Sequence, residues 1–472
     1  HVLAAPVFAD VDGDGGHHMI IPVSYFRDSR YADRSAGGGN VMDGYVSGSL
    51  LCWNDRRSEW RWTHDLGETI YSVEKEANVY ASPTVADLDG DGSLEVVVGT
   101  ALGTLHVLDA ATGMTRPGFP ITYNSIKGQI AVADVDGDGL LEMIFGDSSG
   151  VLACVKPDGS ERWNHHLTGA ISSTVMMGDV DGDGELDVVI GVTTSAGSGE
   201  VWALQAETGK LLPHFPVRLM NRKGISTSIT LVDLHERTAA SMGMKQAGNL
   251  FKPIGGYGAG LHLLSPSEDG HVYVIEGATG CVNKIDLSER LLGMVLADDL
   301  DGDGILDLLV GTMSGEVVAL SANVPFHPLN AWTSGVRGQL NGFVHGGYQG
   351  VYFTETRSKY ERVVGHQFTV TFEIMDKAAL NERSRRYQIT ISVGTEKIFR
   401  GAYERPGIYK ATLSLKSPGS ALLRIYMVNE QGLHAEDHLS VGYNTGFHMP
   451  LKWMLVIPVV LASLPFLWMS PG

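Results

Sequence analysis

Cysteine is nearly absent, three in 472 residues, which excludes a disulfide-built scaffold. Cys52 and Cys154 fall four residues after Gly48 and Gly150, in a strand column that other repeats fill with Val107, Ala203, Val274 and Ala319. Both therefore read as small buried apolar residues rather than redox groups. Basic residues are scarce: 35 Lys and Arg against 54 Asp and Glu give a net charge of −19. That balance argues against a nucleic-acid partner, whose phosphates demand Lys and Arg. No Asn-x-Ser/Thr sequon occurs, so glycosylation lends no support to a lumenal placement. Catalytic constellations are missing too, with no nucleophile elbow, phosphate loop or zinc-ligand spacing. The adjacent pairs His17-His18 and His165-His166 would point to opposite faces of a strand, and they read as surface or edge histidines. The chain is expected not to be an enzyme.

What the chain has in abundance is one nine-residue carboxylate loop, Asp87-Leu-Asp89-Gly-Asp91-Gly-Ser-Leu-Glu95, repeated at 134–142, 179–187 and 299–307. Acids stand at positions 1, 3, 5 and 9, Gly at 4 and 6, and Leu at 8. The predicted ligands are Asp87, Asp89, Asp91 and Glu95; Asp134, Asp136, Asp138 and Glu142; Asp179, Asp181, Asp183 and Asp187; and Asp299, Asp301, Asp303 and Asp307. The position-7 carbonyls of Ser93, Leu140, Glu185 and Ile305 would add one oxygen each. Calcium takes six to eight oxygens at about 2.3–2.6 Å, and this is such a cage. A bare Asp-Gly turn explains one copy, but not four acids placed beyond the turn.

An EF-hand is excluded because its twelfth residue must be an acid, whereas here it is Val98, Phe145, Ile190 or Val310. Short apolar runs stopped by Gly follow position 9, as in Val96-Val-Val-Gly99 and Val188-Val-Ile-Gly191, and read as buried strands. The loop thus joins two strands. Two further copies are degenerate. Asp10-Val-Asp12-Gly-Asp14 has His18 at position 9, predicting a weak or empty site, and Asp233-Leu-His235 keeps only the first acid, so no metal is assigned there.

After each apolar run comes Gly-x-[Leu/Val]-x-x-[Leu/Val/Ile], for example Gly150-Val-Leu-Ala-Cys-Val155 and Gly270-His-Val-Tyr-Val-Ile275. A period near 45 residues with about four strands per unit is a β-propeller signature. Stretches 25–40 and 235–261 read as surface insertions. The units resemble the FG-GAP repeats of integrin α-subunit propellers, and that resemblance implies calcium loops on one face of a seven-bladed disc. Six repeats are countable, and the chain opens at His1 within a predicted strand without Met, so it is expected to be a fragment or a processed chain lacking at least one blade. With the C-terminal sandwich and closing hydrophobic segment, the chain resembles the plant "defective in exine formation" proteins. This implies a role in pollen exine and primexine wall patterning.

The expected fold is all-β: a calcium-binding propeller over 1–340, an immunoglobulin-like β-sandwich over 345–447, and one transmembrane helix over 451–470. The sandwich shows strict alternation, as in Phe368-Thr-Val370-Thr-Phe372-Glu-Ile374. It carries 13 Lys/Arg against 10 Asp/Glu, so the negative charge belongs to the repeats, where much of it is chelating charge. Residues 453–469 hold no charge and carry Trp453 and Trp468 near their ends, as a single span does. The expectation is a single-pass membrane protein of the plasma membrane or endoplasmic reticulum, its propeller extracellular or lumenal, where calcium is plentiful. It would serve as an adhesion platform for a cell-wall polysaccharide or protein ligand. The alternative is a propeller enzyme acting on a polysaccharide, or a quinoprotein-like dehydrogenase, since Gly199-Glu-Val-Trp-Ala-Leu resembles a quinoprotein repeat.

Overall fold

The structure, a computed structural model, describes residues 4–12, 18–28, 44–70, 77–219, 224–225, 227–235, 260–291, 293–328, 343–345, 347–354, 360, 363–364, 367–377, 385–394, 396–415, 419–444, 454 and 456–458. Six antiparallel sheets follow one another along the repeats, each built from consecutive strands. The third is representative: Ala131–Ala133, Glu142–Gly146, Val151–Val155 and Glu161–His166. In every repeat the carboxylate loop, or its degenerate relative, joins a three-residue strand to the strand after it; in the fourth sheet, which has an extra opening strand Gly169–Ala170, these are Met176–Gly178 and Asp187–Thr194. Strand register fixes that loop, because the residue before position 1 pairs with position 9: Ala86 with Glu95, Ala133 with Glu142, Gly178 with Asp187 and Asp298 with Asp307.

In the second and third repeats the strand after the loop is buried on both faces, as Glu95–Gly99 and Glu142–Gly146 show throughout, whereas Ile305–Gly311 of the sixth alternates. The fully buried strands are covered by neighbouring sheets, so their apolar residues run continuously. Three apolar clusters bridge sheets one to three, three to four and four to six. The Gly that stops each run has a packing reason. A Cβ on Gly99, Gly146 or Gly191 would be driven into Ile126, Ile171 or Ile225 respectively, each supplied by the linker to the next repeat. Gly146→Ala is therefore expected to cost about 1–3 kcal/mol through overpacking; an unchanged denaturant midpoint would contradict this packing.

Downstream, a three-stranded sheet (Gln349–Phe353, Phe368–Asp376, Gly407–Leu413) packs on a five-stranded one (Val363–Val364, His434–Asn444, Gly419–Val428, Tyr387–Val393, Glu396–Tyr403). Their shared core holds Val370, Phe372, Ile389, Ile391, Ile425 and Val441. One pair departs from the antiparallel expectation, since Val363–Val364 runs parallel to Tyr443 and Asn444. Its alternation alone does not disclose strand direction. The cysteines are unpaired, Cys52 and Cys154 buried and Cys281 exposed.

Two sequence expectations change. Residues 25–28 are not loop: the strand His18–Asp28 pairs along its whole length with Gly44–Asn54, because Tyr25-Phe-Arg extends the hairpin before the Gly-rich stretch begins. The rest of the 25–40 insertion, and 236–259, lie outside the described residues. His18 is not a surface residue but is 1% exposed, for the reason given below; His17 lies outside the described residues. Of the predicted span, Met454 and residues 456–458 are helical and exposed, and the remainder is outside the described residues. No helix among the described residues is long and apolar enough to cross a membrane.

Candidate metal centre

Each intact loop folds around its first aspartate. Asp134 accepts the Gly137 amide on Oδ1 at 2.7 Å and the Gly139 amide on Oδ2 at 3.1 Å. Asp87 and Asp299 take the same glycine amides of their loops, and Asp179 takes that of Gly184. The glycines reach this geometry at positive φ, for instance 73° at Gly137 and 94° at Gly139. Position 9 reaches back across the hairpin to the position-2 amide: Glu95 to Leu88 at 2.8 Å, Glu142 to Val135 at 3.2 Å, Asp187 to Val180 at 2.8 Å and Asp307 to Leu300 at 3.2 Å. Position 5 accepts the position-7 amide in all four, so Asp91, Asp138, Asp183 and Asp303 bind Ser93, Leu140, Glu185 and Ile305 through their N–H groups.

Positions 1, 3 and 9 converge in the first three loops. Carboxylate oxygens of Asp87, Asp89 and Glu95, of Asp134, Asp136 and Glu142, and of Asp179, Asp181 and Asp187 lie within 4.8 Å of one another. Position 5 is not part of these clusters. In the fourth loop the converging set is Asp299, Asp301 and Asp303, with Asp307 left out.

Burial makes these clusters costly without a cation. Glu95 and Asp187 are 0% exposed and Glu142 is 1% exposed. Burial first, opposed by the bond to the Leu88 amide and then by Arg116, pushes the Glu95 carboxyl up to about 7. Glu142 is pushed up to about 7 and Asp187 to about 8 in the same way, with neighbouring loop aspartates adding to the burial effect. Asp87, Asp134 and Asp181 are raised as well, chiefly by burial. Asp136 is the exception: burial would raise it, but the Arg162 guanidinium outweighs that and holds it below the usual carboxylate range.

The fit to a metal ion rests on oxygens that the protein does not satisfy. Asp89 Oδ1, Glu142 Oε1 and Asp187 Oδ1 are buried without a hydrogen-bond partner, one in each of the first three clusters. A buried anionic oxygen left unpaired costs free energy, and an all-oxygen, carboxylate-rich set suits a hard cation such as calcium.

Several contributors stand outside the nine-residue motif. Arg116 bridges Asp89 and Glu95, and Arg162 pairs with Asp136. Arg61 holds Asp12 at 2.6 Å and donates from Nε to the Ala111 carbonyl of the next repeat at 2.7 Å; Arg162 does the same with Glu207 at 2.8 Å. Trp62 and Trp163, one residue on, donate to Ala110 and Ala206 at 2.9 Å. The recurring Arg-Trp pair was the available clue. In the first repeat His18 fills the position-9 slot, bound by Asn54 at 2.9 Å and Arg61 at 3.1 Å, which explains its burial. The fifth repeat has the same replacement hidden by its insertion: Val232 pairs with His262, whose Nδ1 accepts the Leu234 amide at 3.3 Å. The His235 and His262 rings meet at a tilt of 56°, with 4.5 Å between centroids.

Residues 350–444 match the family model described as DEX1 beta-sandwich, and residues 134–190 match the FG-GAP-like repeat model. No curated protein matches the chain. Solved structures similar to it include BBS1N in complex with ARL6DN, soaked with mercury, at 12% identity over 88% of this chain and 92% of that one, TM-score 0.36. The computationally designed Ika8 protein is 13% identical over 86% and 95%, TM-score 0.37. BamB from Moraxella catarrhalis is 15% identical over 59% and 78%, TM-score 0.31. Likenesses this distant decide nothing about function. The repeat model falls on two of the carboxylate loops and the sandwich model on the C-terminal pair of sheets, and together they make the chain a DEX1-like protein with FG-GAP repeats.

Proposed function

We propose that the chain is an extracytoplasmic calcium-binding propeller that serves as a binding or adhesion platform, held to a membrane by the 453–469 segment. The observation that carries this is the unpartnered buried oxygen repeated in three of the four clusters: acids arranged this way weaken the fold unless a cation joins them. The resemblance to "defective in exine formation" proteins and the DEX1 beta-sandwich match support a place in pollen-wall patterning, with a cell-wall polysaccharide or protein as ligand. Binding, not catalysis, is the activity assigned. In this reading calcium is structural, holding each loop and its sheet so that the opposite surfaces present a fixed shape. Asp87, Asp89 and Glu95 and their equivalents in the second and third loops, and Asp299, Asp301 and Asp303 in the fourth, would hold the ion, and the remaining shell would come from position-7 carbonyls and water.

A polysaccharide array probed with and without calcium tests the platform role. Binding to acidic or neutral wall glycans that vanishes in EDTA supports it, while turnover of a glycan would move the protein to the enzyme class. Protease protection on intact microsomes tests placement, and the 134–142 loop should survive until detergent is added. Within the repeats, Asp181→Ala should abolish one calcium site and lower the melting temperature in calcium more than Asp12→Ala does. Asp12 is partly exposed in its pair with Arg61, and such a pair contributes only about 0–1 kcal/mol. Equal losses would remove the distinction drawn between intact and degenerate loops.

A further inference from the structure

The sandwich sits on the carboxylate loops themselves. Lys377 Nζ, at the end of the strand Phe368–Asp376, lies 2.7 Å from Asp179 Oδ2. Arg385 Nη2, 7% exposed, lies 3.0 Å from Asp134 Oδ2 and is held from the other side by Asp376, with Nη1 at 3.7 Å. Asp376 is in turn fixed by the Tyr387 hydroxyl at 2.6 Å. Around these two ion pairs the turn after the strand Gly419–Val428 docks by its backbone and amide: Asp87 N–H donates to Gln431 O at 3.0 Å, and Gln431 Nε2 donates to Gly139 O at 2.9 Å. Leu433 packs into the apolar cluster of the first three sheets, and Phe343 and Val344 pack into that of the third and fourth. An open cleft of about 340 Å³ beside Asp87, Asp91 and Glu430 leaves the loop edge accessible to solvent ions.

The two sandwich cations therefore rest on position-1 carboxylates of the second and third loops. Calcium needs those same carboxylates at about 2.3–2.6 Å, which would put it within about 5.5 Å of the Lys377 ammonium or the Arg385 guanidinium, where like charges repel. The four motif carboxylates of each loop carry a formal charge of −4, to which Glu185 adds one in the third loop; one calcium ion removes two units of the charge that attracts the sandwich. We infer that calcium and the C-terminal sandwich compete for Asp134 and Asp179, so that filling the second and third loops loosens the sandwich, and a docked sandwich weakens calcium binding at those two loops. Coupling of this kind is reciprocal by thermodynamic necessity. It gives the platform a state that depends on calcium concentration, with the face under the sandwich uncovered only when the ion is abundant. The first loop is the internal reference for charge, because it meets the sandwich through the Asp87 N–H while its arginine, Arg116, comes from its own sheet. This inference rests on the calcium assignment above.

Hydrogen exchange of the full chain, followed loop by loop through a titration of free calcium, tests it. In Lys377→Gln and in Arg385→Gln the protection midpoints of 179–187 and 134–142 respectively should move to about five- to tenfold lower calcium, while that of 87–95, whose arginine comes from its own sheet, moves less. In the wild type, saturating calcium should speed exchange at residues 431–433. Arg385 is buried and its replacement risks misfolding; Lys377, 21% exposed as a side chain, carries the test alone in that event. Midpoints that do not move, or exchange at 431–433 that slows with calcium, overturn the competition while leaving the calcium sites standing. A wild type that shows no calcium-dependent protection in any loop overturns the calcium assignment itself.

Discussion

Withdrawing calcium with EDTA should lower the melting temperature by about 10 °C. An ion that binds only the folded state stabilises it by RT ln(1 + [L]/Kd), about 1.4 kcal/mol per site when calcium is ten times its Kd. Extracellular modules bind with Kd of about 10⁻⁴–10⁻³ M, so millimolar calcium suffices. Four intact loops then contribute about 6 kcal/mol together, and for a repeat domain of this size each kcal/mol shifts the midpoint by about 2 °C. The gain is spread over second, third, fourth and sixth sheets, which share cores with their neighbours, so the effect should appear as one cooperative shift and not as the loss of a single unit. Magnesium should not substitute, because it demands a smaller, stricter octahedron and sheds its water reluctantly. Calorimetric titration without heat of binding, together with a melting curve indifferent to EDTA, would remove the calcium assignment at all four loops at once.

The loops were legible in sequence because everything that builds them is local. Position 1 and position 9 are eight residues apart, and the strand register that pairs Ala133 with Glu142 follows from the apolar run that starts directly after the ninth residue. The part played by position 5 was less legible: three crowded acids suggest a common focus, yet Asp138 turns to the Leu140 amide at 2.8 Å, a bond available to any Asp two residues before a free N–H. What sequence concealed was long-range. Arg385 is 251 residues from Asp134 and Lys377 is 198 from Asp179, and neither stands in a repeating context. His262 was hidden for a related reason: the insertion between His235 and Gly260 breaks the nine-residue spacing, and only the pairing of Val232 with His262 restores the ninth position. The buried His18 shows the same limit. An adjacent histidine pair reads as exposed until the register places one member in a carboxylate slot whose neighbour, Arg61, already supplies a positive charge.

Metal-free protein should respond to pH in the opposite sense from the usual acid-labile domain, and Asp187→Asn should reverse its sign of effect with calcium. In the ion-free fold burial pushes Glu95 and Glu142 up to about 7 and Asp187 up to about 8, whereas the same carboxyls in an unfolded chain titrate near 4. Between those values the folded state keeps protons that the unfolded state has lost. The associated stability is fully present below about pH 4 and is lost as pH rises to about 8. In EDTA the melting temperature should therefore fall between pH 5 and pH 8.5. Calcium, which replaces those protons, should be released progressively on acidification. Asp187 isolates the effect. It is fully buried, with one oxygen on the Val180 amide and the other unpartnered, and Asn keeps the first bond while offering an N–H to Asp179 or Asp181 in place of a charge. At pH 8.5 in EDTA the variant should melt several degrees above the wild type; in millimolar calcium it should melt below it, having lost a ligand of the third loop. If Asp187→Asn is destabilising in both conditions, the carboxylate is held by protein contacts rather than by an ion, and the third loop is not a calcium site.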